Sequence, residues 1–101
     1  LMDTKNKVIE VLEELKDIFD QHKVTGWTRR TQLAIQQINE DALNTTTILE
    51  DFIGAGMGSL IDLYISSDNG HQLKLSEADT NKQLEKLTQQ ILIIKNGLDK
   101  T

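Results

Sequence analysis

The chain has 101 residues and carries 16 acidic side chains against 11 basic ones, a formal net charge of −5 at pH 7. It contains no cysteine, which excludes disulfide scaffolds, cysteine-ligated zinc sites and cysteine nucleophiles. The length suits one domain over residues 1–101. Only 4% of the residues are aromatic, so its core must be built mainly from leucine and isoleucine.

No apolar run approaches the roughly 20 residues that a membrane-spanning helix needs. Residues 1–5 also lack the apolar segment of a signal peptide. We therefore expect a cytoplasmic protein that makes no contact with a membrane.

The first predicted element is a helix over residues 3–22. Its apolar residues recur at intervals of three and four, which places them on one helical face. His22 falls in the last turn, where the helix dipole favours positive charge, and we expect it to be a surface or turn histidine. The predicted inward positions are Val8, Ile9, Val11, Leu12, Leu15, Ile18 and Phe19.

Two further helices are predicted before the middle of the chain. The break at residues 24–26 precedes a second helix from about Trp27 to Asn39, with Trp27 in the core. A third helix follows a polar turn or kink at residues 39–41 and ends near Ile53. The expected inward positions of the two helices are Trp27, Thr31, Ala34, Ile35 and Ile38, then Leu43, Ile48, Leu49, Phe52 and Ile53.

Residues 54–58 hold three glycines in five positions, so they must end the third helix. Ser59 can cap a short helix over the residues up to about 65. The alternative is a β-hairpin that pairs this segment with residues 71–75 across the turn at residues 68–70. We favour the helix, because a lone two-stranded ribbon is weak.

A last helix is predicted to begin at Ser76, which forms a capping pattern with Asp79, and to end near Gly97. Its apolar stripe consists of Leu84, Leu87, Ile91, Ile94 and Leu98. These elements predict an all-α fold: a small antiparallel bundle of four to five helices with a glycine-rich turn in the middle.

The patterns that carry chemistry are weak. The glycines at residues 54–58 do not have the G-x-G-x-x-G spacing of a dinucleotide loop, and the lysine of a phosphate loop is missing. A metal site would need His71 together with Asp62 or Asp68. A triad built on Ser59 and His71 lacks the G-x-S-x-G nucleophile elbow. We therefore predict no catalytic residue, no metal site, no cofactor and no enzymatic activity.

The acidic excess lies in the middle of the chain. Residues 41–81 contain seven acidic residues and one basic residue, Lys74. Such a field repels nucleic acid and favours a basic partner, although charges that only maintain solubility are the alternative interpretation. The predicted partner-binding residues are Glu50, Asp51, Asp62, Tyr64, Asp68 and His71.

A resemblance adds to this hypothesis. The run Gly56-Met57-Gly58-Ser59-Leu60-Ile61-Asp62, the later Asn69-Gly70-His71 and a closing leucine-rich helix resemble a family of small helical bacterial proteins with a Gly-Met-Gly-Ser-x-x-Asp core. Trp27 upstream fits the same pattern, whereas Ala55 departs from the Gly-Gly-Met-Gly-Ser form expected of the family.

Some proteins of that kind look like immunity partners of secreted bacterial toxins, including contact-dependent inhibition systems. The resemblance implies an antitoxin-like protein that occludes a basic, nucleic-acid-degrading toxin domain, for example a ribonuclease, without itself touching nucleic acid. The alternative is a self-associating structural or regulatory helical module, in which the stripe of the last helix forms a homodimer.

Overall fold

A computed structural model describes residues 2–54, 58–65 and 77–99. Within these ranges the chain forms four α-helices and one 3-10 turn, and it forms no strand, which confirms the all-α prediction for this part of the chain. The helices are α1 (Met2–Gln21), α2 (Thr25–Glu40), α3 (Thr45–Ile53) and α4 (Glu77–Asp99), and the 3-10 turn, Ala42–Asn44, separates α2 from α3. None of the described helices is both long and apolar enough to cross a membrane.

The core is formed by one face of each helix. Nearly all of the inward positions predicted from the apolar spacing are buried or packed against the core. Burial of aliphatic and aromatic side chains is the main driving force for such a fold. The buried apolar residues are Val8, Val11, Leu12, Leu15, Ile18, Phe19, Val24, Ala34, Ile38, Leu49, Phe52, Ile53, Leu60, Ile65, Leu84, Leu87 and Ile91.

Leu43 is the exception, since 86% of its surface is exposed. It was predicted on the inward face of the third helix, but it lies in the 3-10 turn at Ala42–Asn44. Helix α3 starts only at Thr45, so Leu43 precedes it and does not lie on its apolar face.

The connection from α1 to α2 takes only three residues. Lys23 adopts a left-handed conformation, with φ of 59°. The Val24 N–H donates to the carbonyl of Phe19 at 2.8 Å, and the Lys23 N–H donates to that of Asp20 at 3.3 Å. These two bonds form the Schellman motif that commonly ends helices. Val24 then accepts from the Thr28 N–H at 3.0 Å and so begins α2.

His22 lies inside this connection and is buried, with 1% of its surface exposed. His22 is therefore a turn histidine, which is one of the two expected settings, and not a surface histidine. Its Nδ1 lies 2.8 Å from the Ile18 carbonyl, so Nδ1 carries the proton, and Nε2 has no partner within the described residues. The tight turn after α1 brings the imidazole to the core side.

The short helix predicted after Ser59 is also wrong for the described residues. Residues 58–62 form turns, and residues 63–65 have no regular structure. The Asp62 N–H donates to the Ser59 carbonyl at 3.2 Å, and the Leu63 N–H donates to the Leu60 carbonyl at 3.3 Å, so the segment forms turns. The turns do not continue as a helix, because the Ile65 N–H and carbonyl both bond the side chain of Asn81. The hairpin alternative depends on residues 71–75, which lie outside the described residues.

The last helix agrees with its apolar spacing. Leu84, Leu87 and Ile91 are buried, while Ile94 and Leu98 are partly buried against the core. Gly97 lies in the final turn of α4, which continues to Asp99, so it does not terminate the helix. Ser76, the predicted cap, lies outside the described residues.

Candidate partner-binding surface

An aromatic cluster joins α1, α2 and α3. The ring centroids of Phe19 and Trp27 are 5.8 Å apart, and those of Trp27 and Phe52 are 5.7 Å apart with an edge-on geometry. Such pairs stabilise beyond the area they bury. Trp27 is half-buried and packs against the core, as predicted.

Arg30 connects this cluster to the end of α3. Its guanidinium carbon lies 4.5 Å from the Trp27 ring centroid, and its Nη2 donates to the Asp51 carbonyl at 2.7 Å. The carbonyls of the last turn of a helix lack intrahelical partners and favour a nearby cation. Arg30 therefore caps α3 through the main chain of Asp51.

Gly54 is required at the point where α3 ends. Its φ is +73°, a left-handed value that side chains disfavour, and a Cβ there would lie 3.1 Å from Arg30 Nη2. Glycine thus allows the chain to leave the helix close beside the arginine cap.

The two predicted binding residues of α3 have different surroundings. Both Glu50 and Asp51 are exposed. Glu50 Oε1 lies 3.8 Å from the Nζ of Lys95 on α4, which is a loose surface ion pair. The Asp51 carboxylate makes no ion pair within the described residues.

Asp62 and Tyr64 lie together on the wall of a second feature, a shallow cleft of about 380 Å³. Asp62 is exposed, and 52% of the Tyr64 surface is exposed. The cleft joins the segment 58–65 to the start of α2. Its lining residues are Val24, Trp27, Gly58, Ser59, Asp62, Leu63 and Tyr64.

The structure thus divides the predicted patch. Asp62 and Tyr64 share the cleft, whereas Glu50 and Asp51 lie outside its lining on α3. Asp68 and His71 lie outside the described residues. Whether these six residues bind a partner stays a prediction.

Sequence reasoning missed a larger concave feature between α1 and α4. This groove measures about 740 Å³, and three carboxylates of α1, Glu10, Glu14 and Asp17, lie along it. Their spacing of four and three residues places them on one helical face, a signal that was available in the sequence. The pairing of α1 with α4 was not, because it depends on tertiary structure.

Among the described residues, no group of three or more histidine, aspartate or glutamate side chains is arranged to hold a metal ion. No family, no curated protein and no solved structure matches this chain.

Proposed function

We propose that the chain is a binding protein that captures a basic protein partner through exposed carboxylates on α3 and the segment 58–65. The observation that carries the proposal is the state of Asp51 and Asp62, since both are exposed and neither makes an ion pair within the described residues. Unpaired surface carboxylates attract a positively charged protein and accelerate its association.

The partner class follows from the resemblance given above. A toxin that degrades nucleic acid needs a positive cleft to hold phosphates, and an acidic protein complements such a cleft. The proposed role is therefore that of an immunity protein acting in the cytoplasm. It inhibits by occlusion and performs no chemistry of its own.

The antiparallel arrangement of the helices and the glycine-rich turn are also part of this proposal. A connection of three residues between α1 and α2 favours antiparallel neighbours. Gly54 and Gly58, the two ends of the proposed glycine-rich turn, both have left-handed φ values. The bond from the Leu60 N–H to the Ile53 carbonyl and the contact of Trp27 with Phe52 bring the end of α3 close to the cleft, which supports a single binding surface.

The test begins with a tagged chain used to capture proteins from cells of its source organism, with each bound species identified by mass. The proposal expects a protein with a basic domain whose nuclease activity the wild-type chain blocks. The double variant Asp51→Lys, Asp62→Lys should then bind about a hundredfold more weakly, because two attractive charges become repulsive.

A matched control uses Glu13→Lys with Glu40→Lys. These residues are exposed on α1 and at the end of α2 opposite Trp27, outside both the cleft and the groove, and the pair changes the net charge by the same amount. The control should bind within about threefold of wild type at physiological salt, where distant charges are screened. Equal losses in the two double variants would assign the effect to net charge and overturn the proposed surface.

A further inference from the structure

The groove between α1 and α4 has an apolar floor and an exposed apolar residue at its edge. Val11, Ile18, Leu87 and Ile94 form the floor, and Ile93 lies beside them with 68% of its surface exposed. An isolated exposed isoleucine is ordinary. Ile93, however, lies beside a concave apolar floor, so the same surface carries a protruding apolar side chain and a hollow of the same chemistry.

The two walls of this groove carry charge of opposite sign. The α1 wall has Glu10, Glu14 and Asp17 against one base, Lys7, whereas Lys86 is the charged residue of the α4 wall. None of these five side chains makes an ion pair within the described residues. The groove therefore presents an acidic side and a basic side, both unpaired.

We infer that this groove is the interface through which two copies of the chain associate. A two-fold axis along the groove sets α1 of one copy against α4 of the other, and the contact occurs twice by symmetry. The acidic wall then faces the Lys86 wall in both halves. An axis across the groove would instead set acidic wall against acidic wall, so charge selects the first orientation.

The apolar contact favours the same arrangement. With the axis along the groove, Ile93 of each copy approaches the α1 side of the other copy's groove, where Val11 and Ile18 lie. Its exposed surface leaves water on association, which is the favourable term in most protein interfaces.

The size of the face indicates a weak dimer. The lining residues span 7–21 on α1 and 83–94 on α4, so the groove is about 20 Å long at a rise of 1.5 Å per residue. Two adjacent helices over this length offer roughly 400 Å² per copy, so the interface buries about 800 Å², which is below the range of stable specific interfaces. Repulsion between two chains of net charge −5 weakens it further. We therefore expect a weak monomer–dimer equilibrium in the high micromolar range.

This inference goes beyond the proposed function and uses a different surface. Glu50, Asp51, Asp62 and Tyr64 do not line the groove, so a dimer can form while they bind a partner. The two ideas can therefore fail independently.

Sedimentation equilibrium of the purified chain from about 1 µM to 1 mM tests the inference, with circular dichroism to confirm that each variant is folded. Ile93→Asp should raise the dimer Kd at least about thirtyfold, because it places an unpaired charge in the apolar contact. Leu43→Asp is the matched control, since Leu43 is 86% exposed and lies off the groove, and its Kd should stay within about twofold. A wild-type chain that is monomeric at 1 mM, or a dimer that tolerates Ile93→Asp, overturns the inference.

Charge exchange tests the orientation. Glu14→Lys alone and Lys86→Glu alone should each weaken the dimer about tenfold, and the two changes together should restore it to within about threefold. Additive losses in the double variant would overturn this orientation. They would leave the groove to another occupant, such as a basic helix of a partner.

Discussion

Two connecting regions of this molecule are held in place in different ways. The connection between α1 and α2 is held by hydrogen bonds between residues that are close in sequence. The Val24 N–H donates to the carbonyl of Phe19, the Lys23 N–H donates to that of Asp20, and the left-handed Lys23 reverses the chain. Every partner lies within five positions, so the region depends mainly on local backbone geometry.

The segment 58–65 has no helix of its own and is fixed from a distance. Ile65 is fully buried, and one side chain of α4 satisfies both of its backbone groups. Asn81 Oδ1 accepts from the Ile65 N–H at 2.7 Å, and Asn81 Nδ2 donates to the Ile65 carbonyl at 2.8 Å. The comparison teaches that the first region depends on backbone bonds between neighbours in sequence, whereas the second depends on partners outside the segment, which are the Asn81 amide and the Ile53 carbonyl that accepts from the Leu60 N–H.

The largest expected effect comes from removing that amide. Asn81→Ala leaves the Ile65 N–H and carbonyl without partners in a part-buried site, where each unsatisfied group costs about 1–3 kcal/mol. We expect the free energy of unfolding to fall by about 2–4 kcal/mol. Urea unfolding followed by circular dichroism measures the change.

Gln83→Ala is the control for this variant, because Gln83 is exposed on the same helix. Its free energy of unfolding should stay within about 0.5 kcal/mol of wild type. If Asn81→Ala behaved in the same way, the segment 58–65 would not be anchored by Asn81.

The same contrast explains how much could be predicted from sequence. Apolar spacing predicted α1 and the core stripe of α4, because a regular helix depends on residues three and four positions apart. The segment after Ser59 was predicted as a helix because its contact with Asn81 lies sixteen residues away. Leu43 was misplaced because the irregular turn at residues 42–44 breaks the helical period.

The candidate surface was only partly predictable for a related reason. Glu50, Asp51, Asp62 and Tyr64 were grouped because they are close in sequence, but only Asp62 and Tyr64 share a cleft. The groove along α1 requires knowledge of which helix packs beside it. Charge content can be read from a sequence, whereas the arrangement of charges on a surface depends on the tertiary fold.

A smaller effect of opposite sign is expected at Thr80, the residue before Asn81. Thr80 is fully buried, and its Oγ1 has no hydrogen-bond partner within the described part of the chain. Thr80→Val keeps the shape of the side chain and removes a buried, unsatisfied hydroxyl. We expect the free energy of unfolding to rise by about 1 kcal/mol.

Thr88→Val is the matched comparison on the same helix. Thr88 is also buried, but its Oγ1 donates to the Leu84 carbonyl at 2.8 Å. Losing that bond should lower the free energy of unfolding by about 0.5–1 kcal/mol. Thermal and urea unfolding measure both changes in the free energy of unfolding. If the two changes had the same sign, the hydroxyl groups of Thr80 and Thr88 would not differ in their hydrogen bonding as described.

The smallest effect is expected in the locally closed region. Lys23 is exposed and holds a φ of 59°, a conformation that costs a side-chain residue about 1 kcal/mol and costs glycine almost nothing. Lys23→Gly should therefore raise the free energy of unfolding by about 0.5 kcal/mol, after the greater freedom of glycine in the unfolded chain is subtracted. Glu13→Gly, at an exposed position inside α1, should instead lower it by about 1 kcal/mol, because glycine is a poor helix former there. Urea unfolding of both variants under identical conditions gives the sign of each change in the free energy of unfolding. A loss of stability in Lys23→Gly would mean that the left-handed conformation of Lys23 does not destabilise this connection.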